Sequence, residues 1–114
     1  MRKPIPPVCA KYHQAVELIG RRWAGAIIRV LLPGRARYAA IREAIPEISD
    51  RMLSERLREL EAEGVLVRQV VADVPVRVEY QLTEKGRDLE AAVAALGVWA
   101  ERWVPVPAAR PHSA

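Results

Sequence analysis

The 114-residue chain has one cysteine, two histidines and three lysines. A lone thiol, Cys9, rules out an internal disulfide and fits a reducing compartment. No apolar run approaches the roughly 18 residues that a bilayer crossing requires, so no membrane partner is expected. Residues 1–7 carry basic side chains, but no apolar stretch follows them, which argues against a secretory leader. These absences together lead to the expectation of a soluble, cytoplasmic protein. Catalytic sets are missing too. The sequence has no Gly-rich phosphate loop, no Ser/His/Asp arrangement and no acid pair outside helix surfaces, so neither an enzyme nor a cofactor is expected. Cys9 and His13 stand four apart and can share a helix face, but two ligands are too few for a metal site.

What the chain does have is arginine. Fifteen of its eighteen cations are Arg, and the net charge is +4. Arg suits bidentate phosphate and base contacts, although an Ala- and Arg-rich chain is also what a GC-rich genome produces. The placement of the charges is more informative. Residues 21–58 hold nine Arg against four acids; Glu59, Glu61 and Glu63 then reverse the sign, and from residue 64 onward the charges cancel. Positive charge confined to one central third is the expected footprint of a local polyanion contact.

Apolar periodicity and punctuation divide the chain into one domain over residues 8–104, between a flexible arm (1–7) and a disordered tail (105–114). Val8, Tyr12, Ala15, Val16 and Ile19 recur at helical spacing, and a second helix over about 22–32 is apolar almost all round. Pro33-Gly34 ends it. A short extended piece at 36–38 precedes a two-turn helix that Pro46 stops, and Ser49 is a good N-cap for a helix running to about residue 63. After Gly64 the period changes from about 3.6 to 2. Residues 65–71 and 76–82 read as two strands of a hairpin with its tip at 72–75, and Thr83 caps a single last helix over 83–104. The fold class is therefore mainly α with a small β-hairpin (α+β). A helix-turn-helix followed by a hairpin is a winged helix-turn-helix.

On the 49–63 helix, Leu57 and Leu60 fall within about 40° of Leu53 and make the inward stripe. Arg51, Ser54, Glu55 and Arg58 lie on the opposite face. Such a face near a helix start suits the major groove, where Arg bonds guanine edges and Ser reaches bases or phosphate. The competing reading is a merely solvated face. Asp50 and Glu55 oppose simple phosphate binding, but a carboxylate there can accept from cytosine N4. Arg77, beside the hairpin tip, suits the minor groove or its flanking phosphates, or else pairs with Glu79 or Asp73. Arg37, with Arg35, is a weaker phosphate contact.

Several segments then match a family pattern in order. Leu18-Ile19-Gly20-Arg21-Arg22-Trp23 stands for "LIGGKW", Arg37-Tyr38-Ala39-Ala40-Ile41 for "RFSEL", and Ile45-Pro46-Glu47-Ile48-Ser49 for "IPGIS". Met52-Leu53-Ser54-Glu55-Arg56-Leu57-Arg58-Glu59-Leu60 stands for "MLTQRLREL". Val74-Pro75-Val76-Arg77-Val78-Glu79-Tyr80 stands for "VPPRVEY", and Leu82-Thr83-Glu84-Lys85-Gly86 for "LTEKG". From Cys9 to Trp103 the chain resembles the HxlR-type winged-helix transcription regulators, relatives of the MarR group. The resemblance implies a dimeric DNA-binding regulator in which the helix from Ser49 reads the major groove and the hairpin is the wing. It also implies that Cys9 can serve as a redox or electrophile sensor, with a merely structural thiol as the alternative.

In the last helix, Gly86, Leu89, Val93, Leu96, Ala100 and Trp103 recur at heptad-like spacing, with Trp99 alongside. Leu89, Val93, Leu96, Trp99, Ala100 and Trp103 are the expected interface of a homodimer formed through the terminal helices. Its double-stranded partner would be a palindromic operator, with repression the expected outcome and a small molecule or oxidant as effector. A winged helix that only contacts proteins, and a metal-responsive repressor, are the rival readings. Trp23, Trp99 and Trp103 are also open to a role in lining an effector pocket, against ordinary packing.

Overall fold

The computed structural model describes residues 3–105. The expected disordered tail therefore lies almost wholly outside the described residues. Of the expected arm, residues 3–7 form no helix or strand, and neither do residues 8 and 9. The elements that follow are α1 (Ala10–Gly20), α2 (Ala24–Leu31), β1 (Ala36–Arg37), α3 (Tyr38–Ala44), α4 (Asp50–Ala62), β2 (Leu66–Val71), β3 (Arg77–Leu82), α5 (Glu84–Arg87) and α6 (Glu90–Trp103). The strands form one antiparallel sheet in the order β1-β3-β2. The short piece before α3 is thus a third strand, pairing Ala36 with Tyr80 and Arg37 with Glu79.

The core lies where α2, α3 and α4 meet one end of the sheet. Ile27, Ile28 and Leu31 pack with Ile41, Ile45 and Ile48, with Leu53, Leu57 and Leu60, and with Val65, Leu66 and Leu82. The inward stripe expected on the fourth helix is therefore buried along its length.

The ends of α4 follow local chemistry. Ser49 Oγ accepts from the Met52 amide at 3.1 Å, satisfying one of the first-turn donors. At the other end Gly64 takes φ +77°. Val65 N–H donates to Leu60 O and Gly64 N–H to Glu61 O, both at 2.9 Å, the paired bonds of a Schellman stop.

Two expectations need correction. The second helix starts at Ala24, not at about residue 22. Trp23 adopts φ +74°, a left-handed backbone that costs a non-glycine residue about 1–2 kcal/mol. The long-range cause is on α4: Arg56 Nε donates to the Arg22 carbonyl at 2.8 Å and draws it away from a helical path. The last helix, expected unbroken over 83–104, is split at Asp88 and Leu89. Thr83 does cap it, accepting from Gly86 N–H at 3.1 Å. But Gly86 is pressed against the Val65 carbonyl so closely that any Cβ there would collide with it. This contact holds α5 at the sheet end. Leu89 N–H then bonds back only three residues, to Gly86, a tightening that ends α5 before α6 begins. The helix that remains is about 21 Å long rather than about 33 Å.

Candidate nucleic-acid interface

The proposed reading face is the outer side of α4, set by the short turn at Pro46-Glu47-Ile48 between α3 and α4. Burial of Ile48 and Leu53 leaves the intervening polar residues facing out. Arg51 is the most open of them, its side chain 89% exposed, with Nε 3.4 Å from Glu55 Oε1. An exposed pair one helical turn apart contributes only about 0.3–0.5 kcal/mol, so a nucleic acid can displace it at little cost.

Asp50 is not a loose negative charge at the helix start. Tyr38 Oη donates to its Oδ1 at 3.0 Å, and Arg42 approaches the same oxygen at 3.1 Å. Tyr38 Oη also sits 3.4 Å from Ser54 Oγ. Tyr38 and Arg42 therefore tie α3 to the first turns of α4 and neutralise the carboxylate expected to disfavour phosphate. Sequence reasoning missed both positions. Twelve residues separate Tyr38 from Asp50, and no local pattern marks the link.

Arg58 is exposed on the same helix, further from its start. Arg37 is exposed beside α3 at the sheet edge, while Arg35 approaches Glu79 at 3.9 Å. In the wing, Arg77 takes the ion-pair alternative, with its terminal nitrogen 2.7 Å from Asp73 Oδ2. The acids at the far end of α4 behave differently from one another. Glu59 is held by Arg56 at 3.0 Å and Arg21 at 3.1 Å, bracing α4 against the α1–α2 junction. Ser49, Asp50, Arg51, Ser54, Glu55 and Arg58 thus share one helix, whereas Arg37 and Arg77 lie on the sheet. Arg68 of β2, which sequence reasoning passed over, is also exposed.

Cys9 is exposed at the N-cap position of α1. The Tyr12 and then the Lys11 backbone amides hold its thiol below the usual cysteine range. The helix start, rather than the lysine ammonium groups, is the cause. His13 turns Nε2 to Glu17 at 3.0 Å. Among the described residues no three His, Cys, Asp or Glu side chains cluster as metal ligands.

The expected dimer stripe divides in two. Val93 is buried and Leu89 partly buried in the chain's own core. Beyond them, Leu96, Trp99 and Trp103 stay 57%, 57% and 63% exposed. Ala100 is half-buried beside them. No residue of α1 is buried, and Tyr12 and Val16 are open. Trp23 lines an apolar surface groove with Ala26, Val30, Ile45 and Pro46, of which Trp99 and Trp103 are not part.

Comparison with known proteins agrees with this geometry. Residues 18–107 match the HxlR-like helix-turn-helix family. YodB, an HTH-type transcriptional regulator of Bacillus subtilis, is 46% identical over 96 residues, 84% of this chain and 86% of that protein. YvaP of the same organism, an uncharacterized HTH-type transcriptional regulator, is 42% identical over 97 residues, 85% of this chain and 90% of its own. Among solved structures, the redox regulator HypR in its oxidized form superposes with a TM-score of 0.80 at 38% identity, covering 85% of this chain and 100% of that one. Diamide-treated YodB superposes at 0.72 and 44% identity, covering 87% and 98%. With the winged helix-turn-helix architecture and a family match running through almost all of it, the chain belongs to the HxlR-like helix-turn-helix family of transcriptional regulators.

Proposed function

We propose that the protein acts by binding rather than by catalysis: a cytoplasmic homodimer that sits on a palindromic duplex site and represses transcription there. α4 enters the major groove with Arg51, Ser54, Glu55 and Arg58, and Ser49 and Asp50 at its start. The β2–β3 wing brings Arg77 to the flanking backbone, with Arg37 at the sheet edge. The observation that carries this reading is the state of α4. One face is wholly buried, while the other stays open, with its acids already matched by Arg42, Tyr38 and Arg51. A two-fold pair formed through the exposed ends of α1 and α6 would present two such helices about 34 Å apart, one turn of DNA.

An oxidant or electrophile acting at Cys9 is the proposed effector. An accessible thiol of lowered pKa supports it, as do structures of relatives described as diamide-treated and oxidized.

The test is fluorescence anisotropy with a duplex selected from a random pool by the wild-type protein, titrated with salt. Affinity is expected to fall steeply as salt rises. Arg51→Ala is expected to cost about 1–3 kcal/mol on the selected duplex and less on a scrambled one. No binding to either duplex at low salt would instead favour a winged helix that contacts only proteins.

A further inference from the structure

Most arginines around the reading face already hold a carboxylate within the chain: Arg42 on Asp50, Arg51 on Glu55, Arg77 on Asp73 and Arg35 on Glu79. Three do not: Arg37 of β1, Arg58 of α4 and Arg68 of β2 have no ion pair or hydrogen bond among the described residues. Arg37 stands apart on the edge strand, which leaves Arg58 and Arg68.

These two cations line a single groove between α4 and the wing, together with Ser54, Leu57, Glu61 and Tyr80. The backbone brings them there. Arg68 lies opposite Tyr80 and two residues from buried Leu66, so strand alternation turns it to the face of the sheet that meets α4. Glu61, the carboxylate of this groove, pairs with neither arginine. Two guanidinium groups against one carboxylate leave the groove net positive, a concave strip of charge beside the reading face.

We infer that Arg58 and Arg68 together take one backbone phosphate of duplex DNA, which makes Arg68 a DNA-contacting residue and Arg58 a positioning contact rather than a base reader. The spacing along α4 is compatible. Arg51 and Arg58 are separated by about 10 Å along the helix, and the major groove is about 12 Å wide. With Arg51 at the base edges, Arg58 reaches the strand bordering the groove, where Arg68 meets it from the wing side. Two guanidinium forks suit the several oxygens of one phosphate. Such a clamp sets the register of α4 without itself reading sequence.

The inference rests on the DNA-binding reading above, and one experiment separates the two. Wild type, Arg58→Ala, Arg68→Ala, the double variant and Arg68→Lys are titrated against the selected and the scrambled duplex over a salt series. Each alanine variant is expected to lose about tenfold on both duplexes alike, the effect of one charge-assisted contact. The log–log salt slope should drop by about 0.9, one phosphate. The double variant should lose less than the product of the single losses, and Arg68→Lys should restore the slope, with folding midpoints unchanged throughout. An unaltered Arg68→Ala affinity, a loss confined to the selected duplex, or losses that multiply in the double variant would each overturn the shared clamp while leaving DNA binding intact. Wild type binding neither duplex removes the DNA-binding reading and the clamp with it.

Discussion

Cys9 owes its character to position rather than to charged neighbours. At the start of α1 the Tyr12 and then the Lys11 backbone amides favour its thiolate. Because the folded thiol has the lower pKa, the thiolate forms at lower pH in the folded chain than in the unfolded one. The pH–rate profile for iodoacetamide alkylation is therefore expected to have its midpoint below that of the same chain in urea, and Cys9→Ser to abolish labelling. Coincident midpoints would show that the helix start does nothing to the thiol. The presence of a single thiol could be read from the residues. The lowering could not, because it depends on where the backbone amides of α1 stand around the sulfur.

α4 was the most legible segment. Its inward stripe, its Ser49 cap and its Gly64 stop depend on neighbours within four or five residues, and all three appear where periodicity and capping rules put them. Ser49→Ala should lower folding stability by about 1 kcal/mol, the usual worth of a lost N-cap, and Ser49→Asp should restore most of it. Urea denaturation followed by circular dichroism measures both. An unchanged Ser49→Ala midpoint would mean that Tyr38 and Arg42, through Asp50, already secure the start of α4. The last helix was less legible. Its heptad-like spacing suggested one rod, but Gly86 against the Val65 carbonyl breaks it. The start of α2 was misplaced for a similar reason, since Arg56 acts on Arg22 from a distant part of the chain. Contacts between residues far apart in sequence leave no periodic trace.

The assembled subunit keeps Leu96, Trp99 and Trp103 at its surface, and α1 has no fully buried residue. Covering one such side chain contributes about 1.5–3 kcal/mol, and a two-fold interface counts it twice. Trp99→Glu is therefore expected to weaken self-association at least about a hundredfold, seen as a shift toward monomer in sedimentation velocity, while helical content is retained. A variant that sediments like the wild type would show that this patch is not the interface. Val93→Glu should behave differently. It strikes the chain's own core and should unfold the subunit rather than separate a pair.

Hydrophobic period, turn residues and caps were enough to establish a winged helix-turn-helix and to choose the outward face of α4, because those signals act over one or two helical turns. They also concentrated the positive charge in the central third of the chain. Three-dimensional packing settled which arginines still have charge to spare. Asp50, Glu55, Asp73 and Glu79 neutralise Arg42, Arg51, Arg77 and Arg35, leaving Arg58 and Arg68 open on one groove. Ion pairing depends on distance through space, and only the folded chain brings β2 beside α4.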